Sequence, residues 1–395
     1  MTVYLDHAAT TPMLPAAIDA YAQAMTLVGN PASIHSHGQN AKRMLEEARE
    51  QVAASVRCDP IEVVFTGGGT ESVNLGIKGL YWARSPRRRI LAPGGEHHAT
   101  IDTIDWLVSH ENALVEWIPL DALGRIDVAA LERAIARNPD DVALVTLLAA
   151  NNEVGTVQPV ADVAALAAAH GIPVHIDAVS AYGHQPIDFA ALAAVGVSAL
   201  SISAHKIGGP VGIGALVLAR TAKVEPLIHG GGQQRQVRSG TQDVAAAVSF
   251  AVAATAATAQ IRSETLRLGA LRDRLVAGVQ GAVPAVVVNG DPDAAGRLAG
   301  TAHFTFGGCE GDSLLFLLDV AGVSVSTGSA CQAGIAEPSH VLRAMGRSEV
   351  EARGALRVTL GRTTTADDID ALIAALPAAY AQASLAGFAD RTPTL

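Results

Sequence analysis

Short apolar runs alternate with helical patterns between residues 61 and 219. The runs are rich in β-branched residues and read IEVVFT, RILA, ALVEWI, VALVTLL, PVHID, VSALSIS and GIGALVLA. Before them, Met44, Leu45, Ala48, Val52 and Val56 form an apolar stripe at helical spacing. Between them, Val160 to His170 is an Ala-rich helical pattern that ends at Gly171. This alternation predicts a three-layer α/β domain around a buried, mainly parallel sheet.

The pattern changes after Thr241. A long Ala-rich helix is expected first, then a separate Arg/Leu helix from Ser263 to Val279, and then strands at AVVVN, AHFTF and ALRVTLG. Thr365 and Asp368 predict a capping box at the start of the last helix. We therefore expect a large α/β domain at 13–255 and a smaller α+β domain made of 1–12 and 256–395.

Composition narrows the class of protein. The chain has 395 residues, of which 49% are hydrophobic and 17% charged, so disordered and fibrous classes are excluded. A net charge of −10 gives no general attraction to nucleic acid or anionic lipid. No Lys or Arg precedes Lys42, and the uncharged stretch from Val244 to Gln260 is weakly apolar and short for a membrane span. We expect a cytoplasmic protein with no membrane or direct nucleic-acid partner.

Cysteine and lysine are both scarce. The cysteines are Cys58, Cys309 and Cys331, which are too few for a disulfide framework, so each is expected to be a thiol. The lysines are Lys42, Lys78, Lys206 and Lys223. Because arginine stays protonated and does not form an imine, Schiff-base chemistry has only these four candidates.

A glycine-rich turn lies at FTGGGTESVNLGIKG, residues 65–79. A strand leads into Gly67, Gly68 and Gly69, and a helix follows. Exposed N–H groups at such a helix start suit a phosphate, although the pattern fits no nucleotide-binding motif. A tight turn without a ligand is an equally good interpretation of this segment alone.

Asp177 ends a predicted central strand in VHIDAVSAYGH. Ligands of open α/β sheets bind beyond the carboxyl ends of the strands, so this carboxylate can face a cofactor. The alternative is that Asp177 caps the following helix.

Lys206 follows another apolar strand in SISAHKIGGPVGIGAL. Partial desolvation lowers the pKa of a lysine and makes the amine nucleophilic, whereas a loop lysine in an ion pair is the plainer interpretation. Ser203 and Lys206 also match the S-x-x-K pattern of serine acyl-enzymes, and Ser72 with Asn74 imitates its second motif. That class is disfavoured because no K-T-G is present and the context is a strand end.

Cys331 lies among small residues in VSVSTGSACQAGIAEPSH, which is typical of an exposed loop. An accessible thiol becomes a nucleophile when a cation or a helix terminus lowers its pKa, and a chance loop cysteine is the alternative. The histidine pairs His35/His37 and His97/His98 lack metal-ligand spacing, so no metal site is expected.

With these motifs in order, the chain resembles the cysteine desulfurases of the NifS and IscS type, which are pyridoxal 5'-phosphate (PLP) enzymes. The similarity runs nearly end to end. It covers YLDHAATTP (4–12), GNPAS (29–33), the glycine-rich turn, EHHA (96–99), NNEVGTVQP (151–159), HIDA (175–178), SAHKIGGPVGIGAL, HGGGQQRQVRSGT (229–241), STGSACQAG and LRVTLGR (356–362). The resemblance implies an α/β PLP-dependent transferase fold, the aspartate aminotransferase fold type I.

The resemblance also implies residue roles. Lys206 corresponds to the lysine that binds PLP covalently, Asp177 to the partner of the pyridine nitrogen, and His97 to a ring-stacking residue that shuttles protons. Asn152 corresponds to a contact to the ring oxygen and Arg357 to the clamp on the substrate carboxylate. The residues that correspond to the phosphate cup are Gly69, Thr70, Ser203 and His205. Thr241 corresponds to a residue that reaches the phosphate in a neighbouring subunit, so a homodimer is expected.

One position departs from the family. Ser180 stands where a Gln usually lies beside the cofactor oxygen, which puts one hydrogen bond in doubt. The implied reaction converts L-cysteine to L-alanine and leaves a persulfide on Cys331 for sulfur-acceptor proteins of iron–sulfur assembly or thiolation. Selenocysteine cleavage or another PLP-dependent C–S lyase step is the closer alternative, and an inactive scaffold the more distant one.

Overall fold

The computed structural model describes residues 2–328 and 337–385. The strands in these ranges are β1 (Val3–Tyr4), β2 (Val63–Thr66), β3 (Arg89–Pro93), β4 (Leu114–Ile118), β5 (Val142–Leu148), β6 (Val174–Asp177), β7 (Val197–Ser203), β8 (Gly214–Leu218), β9 (Val287–Asn289), β10 (Thr301–Thr305), β11 (Val323–Ser324) and β12 (Ala355–Thr359). The α-helices are α1 (Pro15–Met25), α2 (Ser36–Ser55), α3 (Gly69–Trp82), α4 (His98–Glu111), α5 (Val128–Arg137), α6 (Val160–Ala168), α7 (Phe189–Ala194), α8 (Val244–Ala282), α9 (Gly311–Val320), α10 (His340–Ala344), α11 (Glu349–Arg353) and α12 (Ala366–Leu385).

A seven-stranded sheet in the order β2-β8-β7-β6-β5-β3-β4 forms the centre of the molecule. Only β8 runs antiparallel to its neighbours, and the remaining pairs are parallel. All residues of β5 and β6 are buried, as expected for strands covered on both faces. The seven predicted strands of the sheet and its mainly parallel character are confirmed.

Helices cover both faces of this sheet. Val73, Ile77 and Ile104, from α3 and α4, pack in one apolar cluster against one face. Leu45 of α2 and Phe250 of α8 belong to the cluster on the other face. Because parallel strands end at one edge of the sheet, this three-layer arrangement gathers the loops after β5, β6 and β7 at one place.

A second apolar core lies around the antiparallel sheet β12-β10-β9. Leu275 of α8, Leu314 of α9 and Leu372 of α12 pack in it, together with Leu5 from the start of the chain. β1 pairs in parallel with β11, which ties the N-terminal segment to this second core. On these grounds we propose the division into 13–255 and 1–12 with 256–395, with the boundary inside α8.

The prediction of two helices after Thr241 is wrong, because α8 is one helix of 39 residues. The hydroxyl of Ser263 donates to the carbonyl of Gln260 at 3.0 Å, so this serine bonds within the helix instead of starting a new one. By length and composition α8 could cross a membrane. Its buried residues pack into the two cores, with Phe250 in the first and Leu275 in the second, so we interpret it as a core helix.

Candidate active site

A cavity of about 410 Å³ lies beyond the carboxyl ends of β5, β6 and β7. The residues expected at the site that line it are Gly69, Thr70, His97, Asn152, Asp177, Ser180, His205, Lys206 and Arg357. Ser203 lies just behind it, 3.3 Å from the point where a Cβ on Gly69 would stand. The structure therefore brings together side chains from positions 69 to 357 of the sequence.

Two expected residues lie elsewhere. Thr241 is exposed in the loop before α8 and is not among the residues that line the cavity. Cys331 falls outside the described residues. The nearest described positions on either side of it are Gly328, which lines the cavity, and Glu337.

Lys206 and Asp177 both line the cavity and influence each other electrostatically. Nζ of Lys206 donates hydrogen bonds to the carbonyls of Ala8 and, at 3.0 Å, Ala9. Burial, and then the charge of Arg357, lower the pKa of Lys206 to about 8. Burial raises the pKa of Asp177 to about 6, although the N–H of Val179 and the charge of Lys206 oppose this change. A lysine of lowered pKa has more neutral amine at physiological pH and is the better nucleophile.

His97 caps the N-terminus of α4. Its Nδ1 accepts a hydrogen bond of 3.0 Å from the N–H of Ala99, so the hydrogen of the neutral ring lies on Nε2. Desolvation in the cavity wall, and then the charge of Lys206, lower the pKa of His97 to about 4. The ring is therefore neutral at physiological pH, and His97 lines the cavity as an uncharged aromatic residue.

The start of α3 is shaped to receive an anion. Gly69 is the first residue of the helix, and a Cβ there would come within 2.9 Å of the Val179 side chain. The buried Oγ of Ser203 has no hydrogen-bond partner among the described residues. Free N–H groups and the helix dipole favour negative charge at this position. The structure thus places an unsatisfied hydroxyl beside a helix terminus that suits phosphate.

Arg357 lies in the middle of β12 and is 5% exposed. Its Nη2 donates to Oδ1 of Asp6 at 2.8 Å, and its Nη1 donates to the carbonyl of Asn152 at 3.0 Å. Nε of Arg357 and Oδ1 of Asn152 are buried without a hydrogen-bond partner in the described part of the chain. A ligand with a carboxylate and a hydrogen-bond donor would satisfy both groups.

Sequence reasoning missed several residues of the site. Asp6 and the carbonyls of Ala8 and Ala9 belong to YLDHAATTP, a motif that was recognised without a role for each residue. Glu153 and His340 also line the cavity. The sequence signal for Glu153 is its place in the NNEVGTVQP motif, and the signal for His340 is its closeness to Cys331 in the chain.

The other cysteines, Cys58 and Cys309, lack the lowered pKa that a reactive thiol requires. Burial raises the pKa of Cys58 to about 12 and that of Cys309 to about 11. Both thiols therefore stay protonated at physiological pH, and the thiolate is the reactive form.

Ser180 lines the cavity, where the family usually has Gln. Tyr182 is a nearby hydroxyl that could replace the missing donor. However, its hydroxyl lies 2.6 Å from Oγ of Ser55, and the ring packs edge-on against Phe250. The Tyr182 hydroxyl therefore bonds within the core and does not replace the donor that a Gln at position 180 would supply.

Comparison with known proteins gives consistent findings. The family model for class V aminotransferases (Aminotransferase class-V) matches residues 3–372. An IscS-like cysteine desulfurase of Mycobacterium tuberculosis (strain ATCC 25618 / H37Rv) is 52% identical over 390 residues, which cover 98% of this chain and 98% of that protein.

Two solved structures are also similar to the chain. A NifS-like protein superposes with a TM-score of 0.88 at 32% identity and covers 97% of this chain and 100% of its own. SspA in complex with cysteine superposes with a TM-score of 0.76 at 32% identity and covers 91% of this chain and 99% of its own.

Proposed function

The chain belongs to the class V aminotransferase family and, within it, to the cysteine desulfurases of the IscS and NifS type, and from this premise we propose that it converts L-cysteine to L-alanine and retains the sulfur as a persulfide on Cys331. The observation that carries the proposal is the convergence of Lys206, Asp177 and Arg357 on one cavity. An amine, an acid and a carboxylate clamp are the groups that PLP chemistry on an amino acid needs.

The residues that line the cavity have the chemical groups that PLP requires. We propose that Lys206 binds the aldehyde carbon, that Asp177 pairs with the ring nitrogen, and that His97 stacks on the ring. The phosphate would lie at Gly69, Thr70, Ser203 and His205, where the Oγ of Ser203 lacks a partner. Asn152 and Ser180 would face the ring oxygen. When bound there, PLP supplies an electron sink for negative charge at the substrate Cα.

The chain's own residues then have defined tasks. Arg357 holds the substrate carboxylate and is itself fixed by Asp6 and the Asn152 carbonyl. The neutral amine of Lys206, favoured by its lowered pKa, removes the Cα proton and returns it. His97 offers Nε2–H to the cavity, because Nδ1 is occupied by the Ala99 N–H.

The sulfur transfer step balances without an added oxidant. The thiol of Cys331 gives up its proton, and the thiolate attacks the sulfur of the substrate. An S–S bond forms, the Cβ–S bond breaks, and its electron pair stays on Cβ, which takes up one proton. The products are alanine and the Cys331 persulfide.

The test measures products from purified protein, L-cysteine and a thiol reductant. We expect alanine and sulfide in equal amounts, and a Cys331→Ala variant that still binds cysteine but forms no alanine. Pyruvate and ammonia as the carbon and nitrogen products would contradict the proposal and favour a C–S lyase. Selenocysteine in place of cysteine tests the related alternative, since selenocysteine cleavage without cysteine turnover would favour it.

Lys206 as the residue that carries PLP is tested by borohydride reduction. We expect the label on the peptide that contains Lys206 and none in Lys206→Ala. The variants Lys42→Ala, Lys78→Ala and Lys223→Ala serve as controls because they complete the set of four lysines. Label on any of those three in the wild type would contradict the assignment.

We further propose a cytoplasmic homodimer in which Thr241 reaches the phosphate of the neighbouring subunit. In support, Thr241 is exposed and not among the residues that line the cavity of its own chain. The sulfur acceptors are proteins of iron–sulfur assembly or thiolation. Trapping mixed disulfides with Cys331 identifies them, and recovery of no acceptor thiol from either pathway would contradict this part of the proposal.

A further inference from the structure

Both flanks of the segment that carries Cys331 contact the same side chain, Glu153. Glu153 is 0% exposed and follows Asn152 in the turn after β5. On the N-terminal flank, a Cβ on Gly328 would stand 3.1 Å from Cδ of Glu153, so the Gly328 backbone lies against the carboxyl group. On the C-terminal flank, the hydroxyl of Ser339 donates to Oε2 of Glu153. One buried carboxyl group thus touches positions 328 and 339.

The other carboxyl oxygen of Glu153 faces His340. Oε1 lies 3.9 Å from Nδ1 of His340 and is buried without a hydrogen-bond partner among the described residues. Nε2 of His340 lies 2.8 Å from the carbonyl of Glu96. Because a carbonyl only accepts, Nε2 carries a hydrogen and Nδ1 of the neutral ring carries a lone pair. At 3.9 Å the two atoms are close enough to interact electrostatically but do not form a hydrogen bond.

The charges around His340 come from several elements. The groups in contact with it are Glu96 and His98 near the start of α4 and Glu153 in the turn after β5, and its charge also acts on His97. The ring of His98 packs edge-on with its centroid 5.0 Å from that of His340. Glu153 is the one acid in this set whose side chain reaches both flanks of the Cys331 segment.

We propose that Glu153 is a positioning residue for sulfur transfer, whose carboxyl group holds the described residues on either side of Cys331, Gly328 and Ser339, at the wall of the cavity. The inference rests on the proposed function and names a group that anchors the chain on both sides of the proposed nucleophile. The hydrogen bond from Ser339 offsets part of the cost of burying the carboxyl group, so the two features stabilise each other.

A matched variant distinguishes this role of Ser339 from that of an ordinary helix cap. Ser339 accepts a hydrogen bond from Leu342 at the start of α10, and Ser348 accepts one from Glu351 at the start of α11 in the same way. Ser339→Ala and Ser348→Ala therefore each remove one cap from a five-residue helix. Only Ser339→Ala also removes the bond to Glu153.

The first experiment measures alanine formation in a single turnover and the PLP content of each variant. Ser339→Ala removes the bond to Glu153 and is expected to slow alanine formation by about tenfold to a hundredfold, the range for losing one hydrogen bond to a charged group. Glu153→Gln keeps a neutral acceptor for Ser339 and is expected to slow it by about tenfold. Their PLP content is expected to equal that of the wild type. Ser348→Ala is expected to stay within about twofold. A wild-type rate in Glu153→Gln, or equal losses in both serine variants, would overturn the inference.

Hydrogen exchange provides a readout that does not depend on turnover or PLP. In the apoprotein, the amides of Gly328 and Leu342 donate to Ser326 Oγ and Ser339 Oγ at 3.0 and 3.1 Å. Glu153→Gln is expected to speed exchange at both amides, and Ser348→Ala at neither. If the wild type forms no alanine, the proposed function is contradicted. If exchange is unchanged in Glu153→Gln, only the positioning role of Glu153 is contradicted.

Discussion

Oδ1 of Asp6 accepts a hydrogen bond of 2.8 Å from Nη2 of Arg357, across 351 positions of sequence. The bond fixes the expected carboxylate clamp from the N-terminal segment, which also supplies the carbonyls that hold Lys206. The same short segment therefore orients both the clamp and the amine.

Replacing Asp6 by Asn tests this coupling. The Asp6 charge raises the pKa of Lys206, so Asp6→Asn is expected to lower that pKa below its value of about 8. Loss of a charge partner for buried Arg357 should also destabilise the fold by about 1–3 kcal/mol. NMR titration of the Lys206 amine in the apoprotein measures the first effect. The exposed Asp19→Asn is the control, and an unchanged Lys206 titration in Asp6→Asn would show that the two residues act independently.

Lys206 is expected to destabilise the folded apoprotein. Its pKa is lowered to about 8 in the folded chain, while an unfolded lysine titrates near 10.4. Between these values the unfolded chain binds more protons, so the contribution of Lys206 to folding stability rises with pH across this window and is fully unfavourable below it. Lys206→Met should stabilise the apoprotein at pH 7 by about 1–3 kcal/mol after allowance for partial solvent screening.

Urea unfolding of the apoprotein at several pH values checks this expectation. The gain from Lys206→Met should shrink as the pH rises from 8 toward 10.4. Lys42→Met, on the exposed side of α2, is the control. A gain that stays constant over this range would mean that the desolvated amine is not its cause.

Thr241→Ala tests the shared phosphate site. A charge-assisted hydrogen bond is worth roughly 1.5–3 kcal/mol, so PLP affinity should fall about tenfold to a hundredfold. Sedimentation should show a dimer in the PLP-bound wild type. The nearby Gln242→Ala is the control. A PLP-saturated, active monomer would refute the proposal.

Ser180→Gln tests the departure from the family pattern. In the proposed site, a longer amide would donate a hydrogen bond to the ring oxygen of PLP more directly than the shorter serine hydroxyl. Such a donor would stabilise the deprotonated ring oxygen and lower its affinity for a proton. The pH midpoint of the visible absorption band is therefore expected to fall by up to about one unit, equivalent to 1.36 kcal/mol. Coincident titrations of the two proteins would show that the departure is silent.

Much of the fold could be predicted from local pattern. The buried runs became β2 to β8, and the capping box between Thr365 and Asp368 is present as expected. The strand pattern placed Asp177 and Lys206 each at the end of a strand, and the family resemblance assigned both to one cofactor site. The continuity of α8 was missed because Ser263 resembles a helix start, and only its bond to Gln260 shows otherwise.

The remaining parts of the site depend on tertiary contacts that no periodicity encodes. Asp6 meets Arg357 because β12 lies beside the N-terminal segment, where Asp6 itself forms a bridge with Thr359. Glu153 meets Ser339 because the chain returns to the turn after β5 nearly two hundred residues later. Motif resemblance found these segments, and the structure was needed to pair their side chains.

The most direct test of the account is to locate the sulfur after one turnover. The wild type is mixed with less than one equivalent of ³⁵S-labelled cysteine without reductant, digested and mapped by mass spectrometry. We predict one added sulfur atom on the peptide that contains Cys331, an equal amount of alanine, and release of the label by a thiol. Label on Cys58 or Cys309, or alanine formed at the wild-type rate by Cys331→Ala, would contradict the account.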